Sequence, residues 1–92
     1  MNKVIIVSAC RTPIGKLPGS LSNIKDINLL GLTFKEAMKR IELRKSIIDG
    51  VYVGCCFPQE SYNLARKALL QSDLPDCVPG ATINRTCCSS ME

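Results

Sequence analysis

The sequence contains no histidine, and only 4% of its 92 residues are aromatic. Its six cysteines include no C-x-x-C pair, and without histidine they do not show the spacing of a zinc site. The Gly-x-Ser-x-Gly motif of the α/β-hydrolases is also missing. In this stretch of chain, therefore, nothing indicates a metal site or a hydrolase.

The charged residues are dispersed rather than grouped. The net charge of +4 arises without the basic stripe and interleaved aromatic side chains that are typical of nucleic-acid-binding proteins. No apolar run approaches the roughly 20 residues of a membrane span. The run within residues 1–10 is very short and is followed by Arg11, so it predicts a strand rather than a signal peptide. We therefore expect a cytoplasmic protein with free thiols that binds neither nucleic acid nor membrane.

Three apolar runs predict the strands of the fold. They cover residues 3–9, 50–57 and 81–86, and they are continuous rather than alternating in polarity. Continuous runs are typical of strands that are covered on both faces, as in a parallel sheet. The sequence therefore favours buried parallel strands over an antiparallel sheet with one solvated face.

Two helical patterns separate these runs. Apolar residues at helical spacing predict an amphipathic helix over about 27–41, with Asp26 as its N-cap, and a second helix over about 62–71. Strand and helix thus alternate along the chain, which is typical of right-handed parallel crossovers. The predicted fold class is α/β, a βαβαβ unit with three parallel strands in the order 3-2-1.

Cys87 directly follows the third apolar run and precedes small polar residues, a pattern typical of a strand that leads into a helix. A cysteine at such a junction would lie over unpaired backbone N–H groups, which stabilise a thiolate. Functional residues of parallel sheets also gather at the carboxyl ends of the strands. Free cysteines are, however, usually buried apolar side chains, and this stretch alone leaves that alternative open for Cys87 and Cys88.

Two other features each have two interpretations. Arg11 follows the first run and either binds a phosphate or carboxylate group or holds its own loop in place. Cys55 and Cys56 either pack in the interior or form a redox-active vicinal pair. The redox interpretation is the weaker one, because adjacent cysteines form a disulfide only with backbone strain.

Four short motifs, in order along the chain, resemble those of the thiolases, a family of acyl-CoA acyltransferases that includes the acetyl-CoA acetyltransferases. Together they cover the whole chain. They are Ser8-Ala-Cys-Arg-Thr-Pro-Ile-Gly15, Asp49-Gly-Val-Tyr-Val-Gly54, Asn63-x-Ala-Arg66 and Asn84-x-x-Cys87-x-Ser89-Ser90. The chain departs from the family pattern at residues 57–62, which replace a glycine-rich loop, and at Cys88 and Ser90, which replace frequent glycines. The resemblance implies a layered thiolase-like α/β fold.

The same resemblance implies a domain assignment and a chemistry. Residues 1–92 are expected to be the N-terminal part of a thiolase N-terminal domain that stops just after the nucleophile. Cys87 would accept the acyl group of an acyl-CoA, and its backbone N–H would help to bind the oxyanion. Attack by a second acetyl-CoA would then form a 3-ketoacyl-CoA such as acetoacetyl-CoA, and thiolysis is the reverse reaction. Coenzyme A thioesters are substrates, and no cofactor or metal is implied.

The family also uses a histidine in a Gly-His-Pro motif and a second cysteine in a Cys-x-Gly-Gly motif, and neither motif occurs in this sequence. We therefore expect the chain by itself to be inactive, although its family is enzymatic. The resemblance further implies a homo-oligomer, either a dimer or a tetramer. The alternative is an unrelated small α/β module that binds a ligand or senses oxidants through its thiols.

Overall fold

The computed structural model describes residues 3–16, 19–42, 44–57 and 63–91. These residues form two α-helices, two β-strands and two single turns of 3₁₀-helix. The elements in chain order are α1 (Asp26–Lys39), a 3₁₀ turn (Lys45–Ile47), β1 (Val51–Gly54), α2 (Leu64–Gln71), β2 (Gly80–Ile83) and a second 3₁₀ turn (Ser89–Met91). The predicted α/β class is confirmed.

The two strands pair in parallel, as predicted from their continuous apolar character. Their register places Val51 opposite Gly80 and Gly54 opposite Ile83. The Cys55 amide extends the ladder by donating to the Ile83 carbonyl at 3.0 Å. The carboxyl ends of β1 and β2 therefore meet at one edge of the sheet, and the residues that follow each strand are brought together there.

The strand predicted at residues 3–9 does not form, so within the described residues the order is β1-β2 rather than 3-2-1. Val4 is 99% exposed and Ile6 is 87% exposed. The end of this segment contacts α1 instead: the Ser8 hydroxyl donates to the Ala37 carbonyl at 2.8 Å, and Arg40 donates to the Ala9 carbonyl at 3.0 Å. β-Branched residues favour a strand, but a strand also needs a neighbour for its backbone groups, and this segment lies along a helix.

Both helices form close to their predicted positions, but their starts differ. Asp26 is the first residue of α1 rather than its N-cap, and its side chain accepts from the Ile27 amide at 2.7 Å. The N-cap of α1 is Lys25, which makes no capping hydrogen bond through its side chain. The N-cap of α2 is Asn63, and the predicted first residue of that helix, Tyr62, lies outside the described residues.

Helix α2 packs against both α1 and the sheet. Its buried residues are those that the helical spacing predicts: Leu64, Ala65, Ala68 and Leu69. Val53 of β1 forms a buried cluster with Leu64 and Ala65, and partly buried apolar residues of α1 pack against this cluster. The two alanines are 0% exposed, so side chains larger than alanine would push α2 away from its neighbours.

The segment 63–66, which carries the Asn-x-Ala-Arg motif, attaches α2 to β2. The Asn63 side chain accepts from the Arg66 amide at 3.2 Å and from the Thr82 hydroxyl at 2.8 Å, and it donates to the Gly80 carbonyl at 3.0 Å. The Arg66 guanidinium donates to the Asp76 and Val78 carbonyls, at 2.7 and 3.0 Å, in the turn before β2. The motif therefore has a structural function in this chain.

Replacing Asn63 by alanine is expected to lower the free energy of unfolding by about 2 kcal/mol, because it removes a helix cap and two ties to β2 together. Asn63→Asp keeps the acceptor oxygen but loses the N–H donor, so its free energy of unfolding should lie between those of Asn63→Ala and wild type. The control is Asn28→Ala on the exposed side of α1, expected to change stability by about 0.5 kcal/mol or less. Urea unfolding measures all three, and equal midpoints for Asn63→Ala and wild type would contradict the assignment.

Candidate active site

Cys87 lies just beyond the carboxyl end of β2, in a loop that we call the Cys87 loop (residues 84–91). Both Cys87 and Cys88 are exposed. The alternative that they are buried apolar thiols is therefore wrong. The position is the one that parallel sheets use for functional groups, at the edge where the carboxyl ends of the strands meet.

The backbone around Cys87 differs from the predicted strand–helix junction. Strand β2 ends at Ile83, because the next side chain turns the chain: the Asn84 Oδ1 accepts from the Thr86 amide at 3.1 Å. In the described part of the chain only a 3₁₀ turn follows, Ser89–Met91. Within these residues Cys87 is therefore followed by a 3₁₀ turn and not by the predicted α-helix.

Thr86, the residue before Cys87, has a left-handed backbone with φ of 50°. This conformation is unfavourable for a β-branched residue, costs on the order of 1–3 kcal/mol and persists only where surrounding contacts fix it. The Ser89 side chain supplies such contacts, since it accepts from the Arg85 amide and donates to the Thr86 carbonyl, each at 2.7 Å. Ser89 is 5% exposed, so its side chain is buried inside the loop, where these two hydrogen bonds stabilise the loop backbone.

Gly54, the last residue of β1, lets the Cys87 loop pack against the sheet. A Cβ atom built on Gly54 would lie 2.5 Å from the Ser90 amide nitrogen and 2.6 Å from the Ser89 carbonyl carbon. Both are backbone atoms, which cannot turn aside as a flexible side chain can. The glycine at this position is therefore required by the close approach of two backbones.

Cys55 and Cys56 have different environments, although they are adjacent. Cys55 packs against the buried cluster around Val53. Cys56 is turned towards the Cys87 loop: its thiol donates to the Thr86 carbonyl at 2.9 Å and lies 3.6 Å from the Ser89 hydroxyl oxygen. The Asn84 side chain in turn donates to the Cys56 carbonyl at 3.3 Å. Cys55 thus matches the prediction of interior packing, and Cys56 belongs to the site.

Arg11 lies away from this loop in the fold. It is exposed and lines a groove beside the C-terminal half of α1, together with Glu36 and Arg40. Arg40 is bonded to Glu36 at 2.9 Å and to the Ala9 carbonyl, so these groups fasten the segment before Arg11 to α1. These contacts are made by Arg40 and not by Arg11, so both interpretations of Arg11 stay predictions.

No group of three or more Cys, Asp or Glu side chains within the described residues is arranged to hold a metal ion. In the same residues, neither helix is long and apolar enough to cross a membrane. All six cysteines are free thiols.

The family model "Thiolase, N-terminal domain" matches residues 4–92. A beta-ketoadipyl-CoA thiolase of Pseudomonas knackmussii is 41% identical over 93 residues, which are 98% of this chain and 23% of that protein. A 3-ketoacyl-CoA thiolase of Bacillus subtilis is 36% identical over 95 residues, which are 100% of this chain and 24% of that protein.

The fold gives the same result. A crystal structure of the Bacillus anthracis acetyl-CoA acetyltransferase superposes with a TM-score of 0.85 at 37% identity, over 92% of this chain and 22% of that one. The chain belongs to the thiolase family, and it spans about a quarter of the length of the curated relatives that it matches. The alternative of an unrelated small α/β module is therefore wrong.

Three residues that shape the site were not identified from the sequence: Gly54, Cys56 and Ser89. Gly54 and Ser89 each belong to one of the four thiolase-like motifs, but the motifs assign no individual role to either residue. Cys56 has no spacing signal at all, because 30 positions separate it from the carbonyl it contacts. The contact becomes predictable once the register of β1 and β2 is known. Gly54 lies opposite Ile83, so two residues further along Cys56 lies beside Arg85, the residue before Thr86.

Proposed function

We propose that this chain carries the nucleophile of an acyl-CoA acyltransferase, which forms or cleaves a 3-ketoacyl-CoA such as acetoacetyl-CoA through an acyl-enzyme on Cys87. The observation that carries the proposal is the exposed Cys87 thiol at the shared carboxyl edge of the parallel strands, within the motif Asn84-x-x-Cys87 of a thiolase-family chain. Two of the matched relatives are named as a beta-ketoadipyl-CoA thiolase and a 3-ketoacyl-CoA thiolase, which supports the proposal.

The chemistry requires a nucleophile that both attacks a thioester and later leaves, and a thiolate meets both requirements. In the forward reaction the Cys87 sulfur attacks the thioester carbonyl carbon, and coenzyme A departs as its thiolate. The α-carbon of a second acetyl-CoA, after loss of a proton, attacks the acyl-enzyme, forms the new carbon–carbon bond and releases the Cys87 thiolate. Thiolysis runs the same steps in reverse, with coenzyme A as the attacking thiol.

The proposal assigns the other steps to groups outside this sequence. A base must remove the α-proton, and the 92 residues contain no histidine for that purpose. The chain's own contribution is the thiol, the hydrogen-bonded loop that presents it and the backbone N–H of Cys87 as an oxyanion donor. Six free thiols favour a reducing compartment such as the cytoplasm, and the exposed apolar segment around Val4 and Ile6 favours assembly with further protein surface, as in a homo-oligomer.

A chimaeric protein tests this proposal. The matching quarter of the Bacillus subtilis 3-ketoacyl-CoA thiolase is replaced by this chain, and coenzyme A-dependent cleavage of acetoacetyl-CoA is measured. We expect steady thiolysis by the chimaera and none by the isolated chain, since general acid–base catalysis alone contributes roughly 10²–10⁴-fold. A well-folded chimaera without activity, or steady turnover by the isolated chain, would contradict the proposal.

A further inference from the structure

The Cys56 thiol has no role in the proposed acyl transfer, yet its contact is directed at the peptide group next to the nucleophile. Three donors converge on the Thr86 carbonyl oxygen: the Cys56 thiol at 2.9 Å, the Ser89 hydroxyl at 2.7 Å and the Ser89 amide at 3.2 Å. Of these, only the thiol comes from outside the Cys87 loop, from the segment that directly follows β1. Cys56 therefore ties the Cys87 loop to the end of β1.

The geometry of the peptide bond gives this contact a consequence for Cys87. The Thr86 carbonyl and the Cys87 N–H belong to one peptide group, which is planar and trans, so the two bonds point in opposite directions. When the carbonyl is held inward by Cys56 and Ser89, the N–H of Cys87 is held facing outward. The left-handed backbone of Thr86, with φ of 50°, would otherwise relax towards a commoner conformation and rotate this peptide group.

We propose that Cys56 is a positioning residue for the nucleophile. Its thiol fixes the orientation of the Thr86–Cys87 peptide group, and this orientation sets the directions of the Cys87 N–H and of the Cys87 side chain. The inference rests on the proposed function for its purpose, because an outward N–H beside the reacting sulfur is what an oxyanion donor requires. The contact itself exists independently of any substrate.

The neighbouring thiol makes a matched control available. Cys55 directly precedes Cys56 and carries the same thiol group, but its side chain packs against the buried cluster instead of contacting the Cys87 loop. A thiol is a weak donor, and a hydroxyl in the same place can donate to the same carbonyl. Cys56→Ser therefore keeps the donor, Cys56→Ala removes it, and Cys55→Ala removes an equivalent thiol that does not face the loop.

The first measurement is amide hydrogen exchange on the full chain, with no acyl donor present. The reporting amides are those of Arg85 and Ser89, which donate to the Ser89 hydroxyl and the Thr86 carbonyl, and the reference is the Ser72 amide at the end of α2. Relative to the reference, Cys56→Ala should accelerate exchange at both reporting amides about fivefold, the factor that one typical hydrogen bond contributes. Cys56→Ser and Cys55→Ala should stay within about twofold of wild type.

The second measurement separates positioning from mere packing. The rates at which iodoacetamide alkylates Cys87 and the exposed Cys77 are compared by peptide mass spectrometry, natively and in denaturant. In Cys56→Ala the Cys87 to Cys77 ratio should move towards its denatured value, and Cys56→Ser should restore the native ratio. A native ratio equal to the denatured one in wild type, a ratio unchanged by Cys56→Ala, or failure of Cys56→Ser to restore it would each overturn the inference.

These outcomes are distinguishable from failure of the proposed function, because neither measurement uses coenzyme A. Suppose that Cys87 never accepts an acyl group, but Cys56→Ala accelerates exchange in the Cys87 loop and Cys56→Ser keeps it near wild type. The positioning role is then supported and the acyl-transfer proposal is contradicted. If Cys87 is acylated but Cys56→Ala changes neither the exchange of the Arg85 and Ser89 amides nor the alkylation of Cys87, the proposed function is supported and the positioning role is overturned.

Discussion

Replacing Gly54 by alanine is expected to detach the Cys87 loop from the sheet and to lower the free energy of unfolding by about 3 kcal/mol. The added methyl group would lie 2.5 Å from the Ser90 amide nitrogen and 2.6 Å from the Ser89 carbonyl carbon, closer than real Cβ contacts occur, and these two atoms are backbone. A chain of this length has a total stability of only about 5–14 kcal/mol, so a loss of this size is a large part of the whole.

The control for this variant is Gly31→Ala, at a buried glycine within α1. A Cβ atom on Gly31 would lie 3.8 Å from the Gln71 side chain and 3.9 Å from the Ala68 carbonyl, which is ordinary van der Waals contact. Since Gly31 lies within α1, alanine there should raise stability by about 0.5–1 kcal/mol through helix propensity. Urea unfolding compares the two variants, and a Gly54→Ala midpoint at or above wild type would show that the loop does not pack as described.

Replacing Cys87 by alanine in the chimaeric protein is expected to abolish thiolysis of acetoacetyl-CoA. Removal of a catalytic nucleophile costs on the order of 10⁶ in kcat where it has been measured in a serine protease. The matched control is Cys88→Ala, because Cys88 is the next residue, is also exposed and carries the same group. Cys88→Ala should keep kcat within about tenfold of the parent chimaera. If Cys88→Ala abolished thiolysis and Cys87→Ala did not, the acyl group would be assigned to Cys88 instead.

The sequence predicted those elements whose signal is local. Helix α2 follows from the helical spacing of Leu64, Ala65, Ala68 and Leu69, and each of these side chains is buried as expected. The parallel pairing of β1 and β2 follows from their continuous apolar runs, and the position of Cys87 near the carboxyl edge of the sheet follows from its place after the second run. In these cases the residues that carry the signal are also the residues that make the contacts.

The failures concern features that depend on distant partners. Residues 3–9 have strong β propensity, but a strand is completed only by a neighbouring strand, and α1 supplies the contacts of Ser8 instead. The helix predicted at Cys87 is a turn within the described residues, because Asn84 and Ser89 bond to the local backbone and hold Thr86 in a left-handed conformation. The contact of Cys56 with Thr86 spans 30 positions and becomes visible only once the register of the sheet is known.

The central claim is that Cys87 carries the acyl group, and trapping that group tests it most directly. The chimaeric protein is mixed with acetyl-CoA in the absence of free coenzyme A, quenched in acid and digested, and the peptides are mapped by mass spectrometry. We predict one acetyl group per chain, on Cys87, which is lost when free coenzyme A is added before the quench. An unmodified Cys87 in an active chimaera, or an acetyl group found on another cysteine, would contradict the account.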